Sequence, residues 1–308
     1  MQAEPYLPRR AATSRPLPLR GLRYHLQEWG DRAQATPQRP TLVMVHGWMD
    51  VGASFQFVVD ALAVLPDSPQ HIVAPDWRGF GLTGPSGSDS YWYPDYLGDL
   101  DALLDAVSPD APVDLLGHSM GGNVVMSYAG VRPQRVRRLV NIEGFGLPAA
   151  RAEDAAPRLA SWLDELRQPM ALKDYASIDE VAARLRANNP RLAPDRAAWL
   201  AGHWARPDAQ GRWQVLGDPA HKRSNPALYR VEEVLAIWRA ITAPLLWVDG
   251  AETDIGRWWH GRYTRAEFDQ RLDCVADCRR VTLADAGHML HHDQPEALAR
   301  VLQAFLAA

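Results

Sequence analysis

The chain has 308 residues, 47% of them apolar and 23% charged, with a formal net charge of −4. That length holds one large domain or a core with an insert, and that apolar content supplies a sizeable core rather than a disordered chain. The slightly acidic balance excludes the basic footprint of a nucleic-acid binder, and no window reaches the roughly eighteen apolar residues of a membrane span.

The opening MQAEPYLPRRAATSRPLPLR has prolines and arginines but no apolar centre of a signal peptide. It reads as a loose arm, residues 1–20, on a cytoplasmic protein. GLRYHLQEWG (21–30) reads as a strand, and TLVMVHG (41–47) as a buried parallel strand. SFQFVVDALAVL (54–65) reads as a helix, HIVAPD (71–76) as a strand and 80–92 as a Gly/Ser/Pro loop. In YPDYLGDLDALLDAV (93–107) the residues Leu97, Leu100, Leu103 and Leu104 share one helical face. VDLLGHS is then a strand, MGGNVVMSYAGV a helix ended near Pro133, and VRRLVNIEG (136–144) another strand. This alternation is the mark of a mainly parallel α/β sheet covered by helices.

The alternation stops between Leu147 and Thr242, where only helical segments and loops are read. That stretch is too long for a crossover helix and is expected to be an inserted helical cap, 147–242. The core is then 1–146 and 243–308. Its second part holds PLLWVDG (244–250), a helix at 264–272, the strand RRVTLADAG (279–287) and a last helix at 295–307. Cys274 and Cys278 have no clustered partners and read as reduced thiols rather than a metal site.

The stretch LLGHSMGG (115–122) places Ser119 between a buried strand and a helix. A sharp turn there strains the backbone and leaves room only for glycine two residues away on each side, at Gly117 and Gly121. The turn lifts the hydroxyl above the carboxyl edge of the sheet. A serine nucleophile needs a base, and the base an orienting acid. His288, in the loop after the last strand, is the candidate base, ahead of His291 and His292. Asp254, in VDGAETDI after the penultimate strand, is the leading candidate acid. Glu143, Asp249 and Glu252 compete with it for that role. The oxyanion donors are expected to be the Met120 and Trp48 N–H groups, with His46 and Gly47 shaping the turn and Asp50 capping the next helix.

Together these residues resemble the α/β-hydrolase superfamily over roughly 20–308. The resemblance rests on HGW (46–48), DWRGFG (76–81), GHSMGG (117–122), the VDGAETD loop and AGH (286–288). It looks most like the capped bacterial members often labelled serine hydrolase-like or generic hydrolases. The resemblance implies a mainly parallel eight-stranded sheet, a cap after the sixth strand and a Ser119–His288–Asp254 triad. It also implies no metal or organic cofactor. In DWRGFG, Asp76 and Arg78 are expected to pin a loop. One departure stands out: Thr253 takes the place three residues after the glycine where many members carry the acid.

A serine nucleophile suits hydrolysis of carboxylic esters or lactones through an acyl-enzyme. The partner is then a small ester-like molecule, with the chain a monomer or a homodimer. Tyr91, Trp92, Trp258 and Trp259 are the pocket candidates, while Trp162, Trp199, Trp204, Trp213 and Trp238 are assigned to the cap. Three other readings fit the same residues. A carbon–carbon hydrolase of the meta-cleavage type would use Arg186, Arg191, Lys222 or Arg223 for a substrate carboxylate. A cofactor-free perhydrolase would admit peroxide, and a small-molecule receptor would turn over slowly or not at all.

Overall fold

The computed structural model describes residues 4–308. In chain order it contains β1 (Thr13–Leu19), β2 (Leu22–Gly30), β3 (Leu42–Val45), α1 (Gln56–Leu62), β4 (His71–Asp76) and α2 (Tyr93–Val107). Then come β5 (Val113–His118), α3 (Met120–Val131), β6 (Val136–Ile142), α4 (Ala155–Leu166), β7 (Asp174–Tyr175), α5 (Ile178–Asn188) and α6 (Pro194–Trp204). The chain continues through β8 (Ala205–Pro207), β9 (Trp213–Val215), α7 (Val231–Arg239), β10 (Leu245–Gly250), α8 (Ile255–Trp258) and α9 (Arg265–Leu272). It ends with β11 (Cys278–Leu283), α10 (Leu290–Asp293) and α11 (Pro295–Leu306).

Eight strands form one sheet in the order β1-β2-β4-β3-β5-β6-β10-β11. β2 is antiparallel to both neighbours, and every pairing from β4 to β11 is parallel. β3, β4, β5 and β10 are buried along their whole length, which is why their sequences are almost continuously apolar rather than alternating. One face packs against α2, α3, α7 and α9 through Leu100, Val125, Trp238 and Phe268. The other packs against α1 and α11 through Val58, Leu62, Leu298 and Leu302.

The first twenty residues depart from expectation. Thr13–Leu19 is the antiparallel edge strand β1, because Leu17 and Leu19 on alternate positions can pack on the sheet. Residues before it are held as well: Asp60 on α1 accepts hydrogen bonds from Tyr6 Oη, Arg9 N and Arg10 N. The Tyr6 ring packs edge-on against Phe57 and Trp199. The part of the expected arm at residues 1–3 lies outside the described residues.

Between β6 and β10 lies the inserted block. It contains α4–α7, but also a small antiparallel sheet in the order β7-β9-β8, which the helical reading missed because strands of two or three residues leave no periodicity. α7 packs as a core helix rather than a cap helix. Trp238 is buried among core side chains, and a Cβ on Gly130 of α3 would lie only 2.1 Å from Ile237 O. As a packing unit the insert therefore closes before α7, short of Thr242. Trp238→Ala is expected to cost about 3–5 kcal/mol. In urea unfolding the far-UV signal and tryptophan fluorescence should shift together, since the lost contact belongs to the main core.

Candidate active site

Ser119 joins β5 to α3 with φ 53° and ψ −115°, a conformation that L-residues avoid. The flanking glycines permit it. A Cβ on Gly117 would lie 2.3 Å from Gly121 O, and one on Gly121 would lie 2.4 Å from Val45 O. Ser119 N donates to Ile142 O at 2.8 Å, which fixes the turn to the end of β6. The 46–48 loop lies against it: a Cβ on Gly47 would sit 3.1 Å from Ser119 Cβ. His46 Nδ1 donates to Gly47 O at 2.7 Å, while its Nε2 accepts from Trp77 N at 2.9 Å, so this imidazole shapes the loop from beneath.

His288 Nε2 lies 3.0 Å from Ser119 Oγ, and His288 Nδ1 lies 3.0 Å from Glu143 Oε2. With Nδ1 donating to the carboxylate, Nε2 is left to accept the serine proton. Glu143 is therefore the carboxylate that meets the histidine, and the expectation for Asp254 is corrected. Asp254 instead caps α8, accepting from Arg257 N at 3.0 Å. Two further carboxylates near this edge are engaged elsewhere: Asp249 pairs with Arg265 and Thr282 Oγ1, and Glu252 with Arg191.

Glu143 reaches His288 because it too has a left-handed backbone, with φ 58°. Asn141 holds that turn, accepting from Gly144 N at 2.9 Å and donating to Gly144 O at 3.2 Å. The second carboxylate oxygen accepts from Gly250 N at 2.7 Å, so the end of β10 supplies a donor where Asp254 was expected to supply an acid. Burial pushes the Glu143 carboxyl up, and the Gly250 N–H opposes that rise. The one sequence signal was a carboxylate at the end of a buried strand, directly before a glycine.

Behind the nucleophile lies a group of buried imidazoles. His118 Nε2 donates to His288 O at 2.8 Å. His118 stacks at an angle on His291, and His291 on His292, with ring centroids 4.3 and 4.2 Å apart. Asp50 faces this group and does not cap the next helix as expected. Its Oδ1 accepts from Val51 N at 2.9 Å and from Trp204 Nε1 of the insert at 3.3 Å. Asp76 and Arg78 are engaged as loop pins: Asp76 accepts from Gly52 N and Leu82 N, and Arg78 pairs with Asp99.

Of the aromatic pocket candidates, Trp258 is beside the site, edge-on to His288 with ring centroids 4.7 Å apart. Trp92 meets Trp162 of the insert. Tyr91 is committed to structure: it stacks on His221 at 3.7 Å and donates to Asp218 Oδ2. Trp259 packs against the main core. Met120 begins α3 and Trp48 lies in the adjacent loop with its side chain exposed.

Burial lowers the pKa of His118 and His292 to about 3, and of His221, His288 and His291 to about 4. The unfolded chain takes up protons on these groups below pH 6.5, whereas the folded chain does not until its own lower values are reached. Their contribution is thus present above about pH 6.5 and is lost as pH falls toward 4. In urea titrations across that window the unfolding free energy should fall by more than about 1.4 kcal/mol per pH unit, the limit for one titrating group.

The 3-hydroxybutyrate-oligomer hydrolase of Cupriavidus necator is 29% identical over 306 residues, covering 95% of this chain and 95% of that protein. The serine hydrolase-like protein of Danio rerio is 25% identical over 310 residues, covering 97% of this chain and 89% of the relative. Among solved structures, the thioesterase domain from the curacin biosynthetic pathway superposes with a TM-score of 0.79 at 26% identity. That match covers 95% of this chain and 99% of the domain. The family model described as the alpha/beta hydrolase fold matches residues 40–295, most of the chain and all the strands from β3 to β11, and the protein belongs to that family.

Proposed function

We propose that the protein is a serine hydrolase of carboxylic esters or lactones, with Ser119 as nucleophile, His288 as base and Glu143 as the orienting acid. The observation that carries this reading is the unbroken chain from Ser119 Oγ to His288 Nε2 and from His288 Nδ1 to Glu143, each link 3.0 Å. Ser119 Oγ attacks the ester carbonyl while its proton passes to His288 Nε2. The tetrahedral oxyanion is held by the N–H groups of Met120 and Trp48. Met120 N is a first-turn helix donor with no partner inside its helix, and the helix N-terminus favours negative charge. His288 returns the proton to the leaving alcohol, and the same imidazole then activates water to release the acid.

Trp258 supports a substrate with an apolar acyl or alcohol group, since it is 42% exposed and borders the base. The relative named for 3-hydroxybutyrate oligomers makes short hydroxyacyl oligoesters the first natural candidates. The carbon–carbon reading has less support, because three of its four basic candidates are engaged. Arg191 pairs with Glu252, Lys222 donates to Ala171 O, and Arg223 donates to Asp89 O and Glu165 O. The inserted block is assigned as the cap of the pocket: Asn189 at its α5 end donates to Asp293, which in turn accepts from Gly287 N beside the base.

Hydrolysis of p-nitrophenyl esters of increasing acyl length, and of the linear 3-hydroxybutyrate dimer, tests the reading. Ser119→Ala is expected to abolish turnover with the fold intact; unchanged turnover in that variant would refute the mechanism. Glu143→Gln should lower kcat by about 10³–10⁴-fold, as loss of the orienting carboxylate does in such triads. Asp254→Asn, at an exposed cap, should stay within about twofold. If Asp254→Asn carries the large loss instead, the acid has been misassigned.

The pH profile gives a second check. His288 keeps 31% of its side chain exposed, and burial of the rest lowers its pKa to about 4. The imidazole works as a base only when neutral, so kcat/KM should fall only as pH drops through that lower value. An acid limb nearer 4 than 6.5 is the expected result.

A further inference from the structure

The buried group behind the nucleophile contains an arrangement that the proposed hydrolysis does not use. Asp50, His118 and His291 are each at least nine-tenths buried, and one ligand atom from each lies within 4.8 Å of the others. His118 Nε2 must donate to the carbonyl of His288, which leaves Nδ1 as a bare lone pair. That Nδ1, Asp50 Oδ2 and His291 Nδ1 have no hydrogen-bond partner among the described residues. His291 Nε2 lies 3.9 Å from Asp50 Oδ2. The Asp50 carboxylate oxygen and the His118 Nδ1 lone pair are both acceptors and cannot satisfy each other, while His291 Nε2 also lies 3.2 Å from Ser54 Oγ. Buried acceptors left facing one another are costly, and something positive or donating between them removes the cost.

We infer that Asp50, His118 and His291 form a site for one divalent transition-metal ion, of the zinc, nickel or cobalt class, lodged behind Ser119, and that its occupancy slows hydrolysis. Two imidazoles and one carboxylate are a donor set suited to such ions, and ligand atoms within 4.8 Å of one another close around one with side-chain shifts. The outer contacts are built too, since Val51 N and Trp204 Nε1 hold the other Asp50 oxygen. Inhibition follows from connectivity. His118 precedes Ser119 in the chain and carries the backbone carbonyl of His288, so drawing its ring toward an ion displaces nucleophile and base together. Small misplacements of that kind cost up to about 10²-fold in rate.

The test is titration of the full chain with Co²⁺, read by its visible absorption and by equilibrium dialysis, neither of which needs turnover. One ion per chain is expected. His288→Ala removes the exposed imidazole that could trap an ion at the hydrolytic site itself, and it should bind as tightly as wild type. His291→Gln should weaken binding by roughly tenfold or more, since losing a ligand exceeds the cost of losing an outer contact. Asp50→Asn serves as the second variant, and circular dichroism verifies that each is folded. In wild type, Ni²⁺ or Zn²⁺ should lower kcat for a p-nitrophenyl ester by tenfold or more, reversibly with chelator, while His291→Gln resists. Binding lost in His288→Ala, binding unchanged in both ligand variants, or no binding to wild type each overturns the proposal. The last result would assign the orphaned acceptors to a buried water.

Discussion

A fully buried carboxylate must be bonded on both oxygens or the fold loses several kcal/mol. The side chain of Glu143 has no exposed surface, and it meets that requirement with one bond from Gly250 N and one from His288 Nδ1. Three neighbouring parallel strands are thereby tied at their carboxyl ends. Ser119 N donates to Ile142 O at the end of β6, and Glu143 N donates to Val248 O in β10. The left-handed backbones at Ser119 and Glu143 are held by these bonds and by Asn141, so the strain is fixed by the sheet rather than by the loops.

The same edge is crowded with imidazoles that burial keeps uncharged. His46 braces the 46–48 loop, and His118 joins the residue before the nucleophile to the carbonyl of the base. His291 and His292 share Ser54 Oγ, at 3.2 and 2.6 Å. Neutral rings of this kind pack as aromatics while still giving directed bonds. They stiffen the floor of the site without placing a positive charge beneath the serine. Their cost is sensitivity to acid, because each ring binds a proton more readily in the unfolded chain.

The inserted block is knitted to this edge by several contacts. Trp204 donates to Asp50, Asn189 donates to Asp293, and His221 lies between Phe80 and Tyr91 with stacking distances of 3.8 and 3.7 Å. A third apolar cluster, including Phe57, Leu185, Leu200 and Tyr175, runs continuously from α1 into the insert. Movement of the block as a rigid lid would have to break these contacts. The N-terminal segment adds another tie, since Tyr6 bridges α1 and α6.

The sequence by itself determined the sheet strands from β2 onward, the helix after Ser119, the glycines that its turn requires and the position of His288. Those features are local: an apolar run, a helical spacing, a small residue at a fixed offset. β1 escaped because a proline-rich edge strand has no apolar run, and the small sheet in the insert because its strands are too short to show a period. The partner of the histidine could be decided only by tertiary structure. Glu143 and Asp254 both follow parallel strands near the same edge, and nothing in either segment states which turn points inward. The answer depends on where Asn141 folds the end of β6 and on Gly250 N facing the carboxylate across the strand pair. The bonds from Glu143 to Gly250 and to His288 join residues more than a hundred positions apart. They arise only when the strands are set side by side, and no period along the chain records them.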